Sequence, residues 1–98
     1  MPGDDGAAAI ELVHSPRALW RRTPRGVLVL TDALGSPKAL EGTAAALWEC
    51  FDAPRTRDDA AERLAARFGI DVARARAEIA PVVDDLVTVG ALVAERSS

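Results

Sequence analysis

The sequence predicts an α+β domain in which an amino-terminal, three-stranded antiparallel sheet packs on a three-helix bundle like that of a winged helix-turn-helix. Two observations predict this class. Short β-like segments fill residues 10–40, and apolar residues then recur at helical spacing through residues 43–89. A chain of 98 residues is long enough for one core. We therefore expect a flexible tail at residues 1–9 and a single domain over residues 10–96.

The strands are predicted from apolar runs and from the turns between them. Residues 17–22 are compatible with a strand around Trp20, and residues 27–30 form a continuous apolar run that is typical of a buried strand. Proline and glycine within residues 23–26 predict the turn that joins these two strands. Residues 38–40 are expected to form a third, very short strand, although their intrinsic strand propensity is poor.

Cap and stop residues delimit three predicted helices. Pro81 lies in the middle of the third helix and predicts a bend there. Residues 91–94 are expected to form a short final strand. The first helix is capped by Thr43 and stopped by Pro54, the second is capped by Thr56 and ended by Gly69, and the third is capped by Asp71, runs to about Val89 and is closed by Gly90.

The third predicted helix carries two neighbouring stripes at helical spacing. A helix that packs on one side normally shows one apolar stripe, so the second stripe is open to two interpretations. It indicates either a more deeply buried helix or the wall of a groove that a partner covers. The first stripe comprises Val72, Ala75, Ile79, Val82, Leu86 and Val89, and the second comprises Arg76, Ala80, Val83 and Val87.

No set of residues indicates catalysis, metal binding or a cofactor. His14 is the single histidine and is expected on the surface, and Cys50 is the single cysteine and is expected to be buried and inert. The adjacent Asp84 and Asp85 diverge by about 100° on a helix and form no catalytic dyad. The sequence also lacks a glycine-rich phosphate loop. We therefore expect no enzyme activity, no cofactor and no metal.

Charge and hydropathy restrict the location and the partners. The amino terminus carries acids where a signal peptide would be positive, and no apolar run approaches the roughly 20 residues that span a bilayer, so a cytoplasmic chain without membrane contact is expected. A net charge of −3 and a pI near 5.0 argue against nucleic-acid binding. A winged-helix DNA-binding transcriptional regulator is the alternative, because the order of helices fits it. Its third helix would start with Arg74 and Arg76, which Asp71 and Glu78 oppose.

Several short motifs within residues 17–94 share the order and spacing of one family. They are Leu40-x-Gly42-Thr43-Ala44-Ala45, Leu47-Trp48-Glu49, Pro54-Arg55-Thr56, Phe68-Gly69-Ile70-Asp71 and Gly90-Ala91-Leu92-Val93. On these motifs the chain resembles the PqqD-like peptide chaperones, which are recognition elements for ribosomally synthesised, post-translationally modified peptides (RiPPs). The resemblance implies a non-catalytic domain that binds the leader of a precursor peptide. It delivers the peptide to a modifying enzyme such as a radical SAM enzyme, a leader peptidase or a cyclase.

The resemblance also implies where the leader binds. The leader adds as an extra strand to the third strand and lies between that strand and the third helix. Arg76 is expected to attract an acidic leader residue, while Ala80 and Val83 accept an apolar one. The family often has an aromatic residue where this chain has Ala39, so the pocket at the edge is expected to be shallow or differently shaped. The implied edge is Lys38, Ala39 and Leu40, and the implied wall is Arg76, Ile79, Ala80 and Val83.

Two further arrangements stay open at the level of sequence. A homodimer could form by exchange of the amino-terminal strands, although no residue pattern supports it. The domain could also be a plain structural module of a larger synthetase complex, in which case it would bind neither a leader nor DNA.

Overall fold

The computed structural model describes residues 10–95, which form six strands and three helices. The predicted tail at residues 1–9 and the final residue of the predicted domain, residue 96, lie outside the described residues. Within residues 10–95 no helix is both long enough and apolar enough to cross a membrane. In chain order the elements are β1 (Glu11–His14), β2 (Leu19–Thr23), β3 (Gly26–Leu30), β4 (Lys38–Glu41), α1 (Thr43–Cys50), β5 (Arg55–Thr56), α2 (Arg57–Phe68), α3 (Val72–Thr88) and β6 (Leu92–Ala94).

The predicted sheet is formed by β2, β3 and β4, which pair antiparallel in that order. Leu19 pairs with Leu30 at one end of the β2–β3 ladder, and Gly26 pairs with Glu41 in the β3–β4 ladder. Gly26 is needed for packing, because a Cβ atom at this position would overlap the carbonyl oxygen of Leu40. The close approach of β4 to β3 therefore depends on a glycine at position 26.

A second sheet contains β5, β1 and β6 in that order, again antiparallel. β6 confirms the final strand that was expected at residues 91–94. β1 and β5 are not among the strands predicted from the sequence. Their partners are distant in the chain: Glu11 pairs with Thr56, and His14 pairs with Leu92.

The three predicted helices are present, and their ends are largely as expected. The Thr56 hydroxyl caps α2 by accepting a hydrogen bond of 3.0 Å from the Asp59 amide, and Gly69 ends that helix in the left-handed conformation at φ 67°. The prediction that Thr43 caps α1 is wrong. The cap is Gly42, whose φ of 59° lets the chain turn from β4 into the helix. Helix α3 continues through Pro81, and the predicted bend stays a prediction.

The core lies between the sheets and the helices and contains Leu47, Trp48 and Phe51 of the first helical segment, all completely buried. α3 contributes one buried stripe, formed by Ala75, Ile79, Val83 and Leu86 at steps of three and four residues. Val83 is 0% exposed and therefore belongs to this core stripe. The buried face of α3 therefore combines three residues of the first predicted stripe with Val83 of the second.

An aromatic cluster joins β1, β2 and α1. The His14 ring stacks on Trp48 with ring centroids 3.7 Å apart, and Trp20 meets Trp48 edge-on at 5.8 Å. His14 Nε2 donates a hydrogen bond of 2.6 Å to the Trp48 carbonyl oxygen. Burial lowers the pKa of His14, although the Trp48 carbonyl and the Asp52 carboxylate oppose that shift. The expectation of a surface histidine is therefore wrong, since His14 is half-buried and joins two elements.

Candidate functional site

β4 is an edge strand, because within residues 10–95 no strand pairs with the side of β4 that faces away from β3. An unpaired edge presents backbone N–H and C=O groups on which another chain can form a further strand. Leu40 is 3% exposed and points into the core, whereas Ala39 is exposed on the opposite face and Lys38 is half-buried. The Leu40 carbonyl oxygen lies against Gly26 of β3, so its backbone groups face β3, and those of its neighbours Ala39 and Glu41 face the free edge.

α3 lies across a gap from this edge. The helix packs mainly against α2, and the long side chain of Lys38 spans the space to α3, with Lys38 Nζ 2.9 Å from Asp85 Oδ2. Residues at steps of three, four and seven share one side of a helix, so Glu78 and Val82 lie on the same flank as Asp85. Arg74 extends this flank and donates a hydrogen bond of 2.9 Å from its Nε to Glu78 Oε2. We call the β4 edge and this flank (Arg74, Glu78, Val82, Asp85) the β4 groove.

The wall predicted from the sequence is not the wall of this groove. Arg76 is nine positions from Asp85, which is about 180° around a helix, and its Nε donates a hydrogen bond of 2.9 Å to Asp58 at the start of α2. Ala80 lies one turn from Arg76 on that same side and is exposed. The placement of Arg76 and Ala80 opposite β4 is therefore wrong. Ile79 and Val83 are 3% and 0% exposed, so they lie beneath the surface, in the core.

A depression of about 190 Å³ extends the β4 groove at the point where β4 passes into α1. Phe68 forms part of its wall and is 45% exposed although it is aromatic. Ile79 lines the same depression, which makes it the residue of the predicted wall that comes nearest to the groove. The full lining is Thr43, Leu64, Phe68, Ile70, Arg74, Ala75, Glu78 and Ile79.

Sequence reasoning missed Phe68, Glu78 and Val82 as groove residues. The sequence places Val82 in the first of the two stripes, and in the structure it is half-buried at the border of the buried face of α3. Helical spacing identifies the buried face of α3, but it does not tell which border of that face lies next to the sheet. The available signal was Phe68, an aromatic residue placed directly before the left-handed Gly69, where a helix ends and its last turn is open to solvent.

The electrostatics of the described residues bear on three alternatives: a reactive thiol, a metal site and a DNA-reading helix. Burial raises the pKa of the Cys50 thiol, which keeps the sulfur protonated and poorly nucleophilic. Among residues 10–95 no group of three or more histidine, cysteine, aspartate or glutamate side chains is arranged to hold a metal ion. Both arginines at the start of α3 are engaged in ion pairs, Arg74 with Glu78 and Arg76 with Asp58. A DNA-reading helix would need such side chains to be available for phosphates and bases.

Comparisons with known proteins show the family and the fold of the chain. The family model described as coenzyme PQQ synthesis protein D (PqqD) matches residues 29–92, from the end of β3 to the start of β6. No curated protein matches the chain. The solution NMR structure of the PqqD truncation of Methylobacterium extorquens PqqCD, a functional and stand-alone RiPP recognition element, aligns with a TM-score of 0.68 and 20% sequence identity. That alignment covers 88% of this chain and 89% of the other, and it confirms the predicted fold class. Since the family model covers well over half of its residues, the chain belongs to the PqqD family.

Proposed function

We propose that this domain is a non-catalytic recognition element, which binds the leader region of a ribosomally synthesised precursor peptide and delivers it to modifying enzymes. Membership of the PqqD family supports a role in RiPP precursor recognition. The observation that carries the binding mode is the β4 edge, which is unpaired within residues 10–95 and faces α3 across a gap. A strand of peptide that entered this gap would find backbone partners on one side and side chains on the other.

The leader adds as a fourth strand to the sheet β2-β3-β4. Its backbone runs along Lys38, Ala39 and Leu40 and pairs with those backbone groups of β4 that face away from β3, which gives affinity with little dependence on sequence. Successive side chains of an added strand point to opposite faces. Every second leader side chain therefore points towards α3, where Val82 is the apolar contact between the carboxylates of Glu78 and Asp85.

Selectivity comes from the depression at the end of the groove. Leu64, Phe68 and Ile79 make its lining largely apolar, and the Arg74–Glu78 ion pair lies at its rim. A large apolar leader side chain that enters it removes Phe68 from water, at about 25 cal/mol per Å² of apolar surface. The leader is thus expected to carry an apolar residue that is aligned with this depression.

The partner enzyme acts on the part of the precursor that extends out of the groove. Its class is a radical SAM enzyme, a leader peptidase or a cyclase, and in this proposal that enzyme supplies the catalytic groups. In this proposal Arg76, Ala80 and Val83 do not contact the leader directly, because they lie on the other flank of α3 or in the core.

A matched pair of variants tests the binding mode. The leader is to be chosen by searching the genomic neighbourhood for a short precursor gene beside a modifying-enzyme gene, and isothermal titration then measures its affinity for the full chain. Val82→Arg places a charge in the groove and is expected to weaken leader binding about tenfold or more, which corresponds to about 1.4 kcal/mol. Ala80→Arg adds the same group on the opposite flank and should leave the affinity unchanged. Equal losses in both variants, or a loss in Ala80→Arg alone, would contradict strand addition at β4.

A further inference from the structure

A strongly basic surface lies on the side of the molecule formed by the β2–β3 turn, α1 and α2. Two carboxylates are each held between two arginines there. Glu49 contacts Arg22 and lies 3.9 Å from Arg67, while Asp59 accepts contacts of 3.1 and 3.2 Å from Arg55 and Arg63. Each carboxylate neutralises one of its two guanidinium groups, so each set of three side chains retains about one positive charge.

A fifth arginine adds to this surface. Arg25 is in the turn between β2 and β3 and makes no ion pair with any of residues 10–95. Five arginines against two carboxylates leave a local net charge of +3 on a chain whose total charge is −3. The side chains of Arg22, Arg63 and Arg67 are 61%, 53% and 60% exposed. Unlike the one-to-one pairs of Arg74 and Arg76, they share their carboxylates two to one, so part of their positive charge is left for a partner. We call Arg22, Arg25, Arg55, Arg63 and Arg67 the arginine face.

The arginine face is continuous with the β4 groove. A hollow of about 390 Å³ contains Arg22, Arg25 and Arg67 and also reaches Phe68, which lines the depression at the end of the groove. The same hollow includes Gly42, the residue directly after β4. A peptide that leaves the groove at the Glu41 end of β4 therefore passes directly onto the arginines.

We propose that the arginine face binds an acidic segment of the same precursor peptide, adjacent to the segment that adds to β4. This inference rests on the proposed function. Charge complementarity selects Asp and Glu side chains, and the planar guanidinium groups can bind carboxylates in bidentate fashion. An acidic peptide suits the face better than a nucleic acid, because the hollow that holds Arg22, Arg25 and Arg67 also includes Gly42, so a peptide strand added to β4 leads directly to these arginines.

The face can be tested apart from the groove with an acetylated octaglutamate peptide. Amide NMR titration of the full chain at low salt should give saturable shifts at residues 22–26, 46–50 and 63–67, with little change at residues 38–41. Binding should weaken steeply with added salt, because exposed charge pairs are screened. An octalysine peptide of the same length is the control for non-specific peptide binding.

Two unpaired arginines provide matched variants. Arg25→Gln removes a charge from the arginine face, and should weaken octaglutamate binding about two- to fivefold, the range of an exposed charge pair. Arg17→Gln removes a charge outside the face, before β2, that likewise makes no ion pair with residues 10–95, and should have no effect. Equal effects of the two substitutions, or shifts spread over all basic residues, would overturn the inference.

The precursor itself separates this inference from the proposed function. If the precursor binds at β4 and its affinity is the same for the unsubstituted chain and for Arg25→Gln, the proposed function stands and the inference about the arginine face is overturned. A precursor that binds neither at β4 nor at the arginine face overturns the proposed function, and the inference that an acidic precursor segment occupies the arginine face falls with it.

Two other partners of the arginine face can be recognised directly. If duplex DNA displaces octaglutamate at a lower concentration than octaglutamate itself needs, the face binds nucleic acid. If sedimentation shows a dimer that Arg25→Gln dissociates, the face binds a second copy of the chain. Either result overturns the inference.

Discussion

The sheet β2-β3-β4 has two edges, and within residues 10–95 neither of them pairs with a further strand, yet they differ in their surroundings. The β2 edge is attached to α1, since Trp20 packs on Trp48 and Arg22 contacts Glu49. The β4 edge faces α3 across a gap that the Lys38 side chain spans. An unpaired edge thus becomes a candidate site only where the adjacent helix leaves room for another strand.

The largest expected effect comes from removing the attachment of the β2 edge. Trp48→Ala deletes a completely buried indole that contacts both His14 and Trp20. The free energy of unfolding should fall by about 3–5 kcal/mol, as measured by chemical denaturation. Leu19→Ala is the control on the same strand, because Leu19 is 68% exposed and its loss should change stability by less than about 0.5 kcal/mol. Similar losses in both variants would show that the aromatic cluster does not hold this edge.

A smaller effect is expected from disturbing the β4 edge through its neighbour. Gly26→Ala forces a Cβ atom against the Leu40 carbonyl oxygen, so β4 must shift, at a cost of about 1–3 kcal/mol. Gly35→Ala is the matched control, because a Cβ atom there meets nothing within 4 Å. It should leave stability unchanged or slightly raised, since alanine narrows the unfolded ensemble. Leader binding should weaken in Gly26→Ala and stay unchanged in Gly35→Ala. If Gly26→Ala lowers stability but leaves the affinity for the leader unchanged, the position of β4 does not determine leader binding.

The smallest effect is a pH dependence that involves the β2 side of the molecule. Burial lowers the pKa of His14 below its ordinary value of 6.5, so the unfolded chain binds a proton more readily than the folded one. Stability should therefore be highest above pH 6.5 and fall as the pH drops through the folded pKa of His14. Thermal melts between pH 5 and 7 measure this slope, and His14→Gln should remove it. Asp59, whose pKa is lowered by Arg63 and Arg55 from 3.8, titrates below that window. If the slope of stability against pH between pH 5 and 7 is unchanged in His14→Gln, a group other than His14 causes the pH dependence.

The sequence predicts most of the fold, because caps, turns and helical spacing are local signals. Thr56 and Gly69 illustrate this, since each acts at the helix end where the pattern places it. The second sheet escapes prediction because β1 pairs with residues far away in the chain.

The candidate site was predicted only in part. The third strand of the sheet and the involvement of α3 follow from the resemblance, but the wall of the groove was assigned to the wrong flank of the helix. Spacing assigns Ile79 and Val83 to two neighbouring stripes, and only tertiary packing decides that both are buried and that Val82 borders β4. The spacing of apolar residues identifies the buried face of a helix. The position of a sheet beside that helix depends on contacts between residues that are distant in the chain.

The most direct measurement of the central claim is amide NMR of the full chain during titration with the leader peptide, combined with hydrogen exchange of the complex. Strand addition at β4 predicts that the amides of residues 38–41 that face away from β3 become slower to exchange and that shifts extend to Glu78, Val82 and Asp85. Residues 19–23 of the β2 edge should change little. Protection that appears at β2, or shifts without any new protection at β4, would contradict the account.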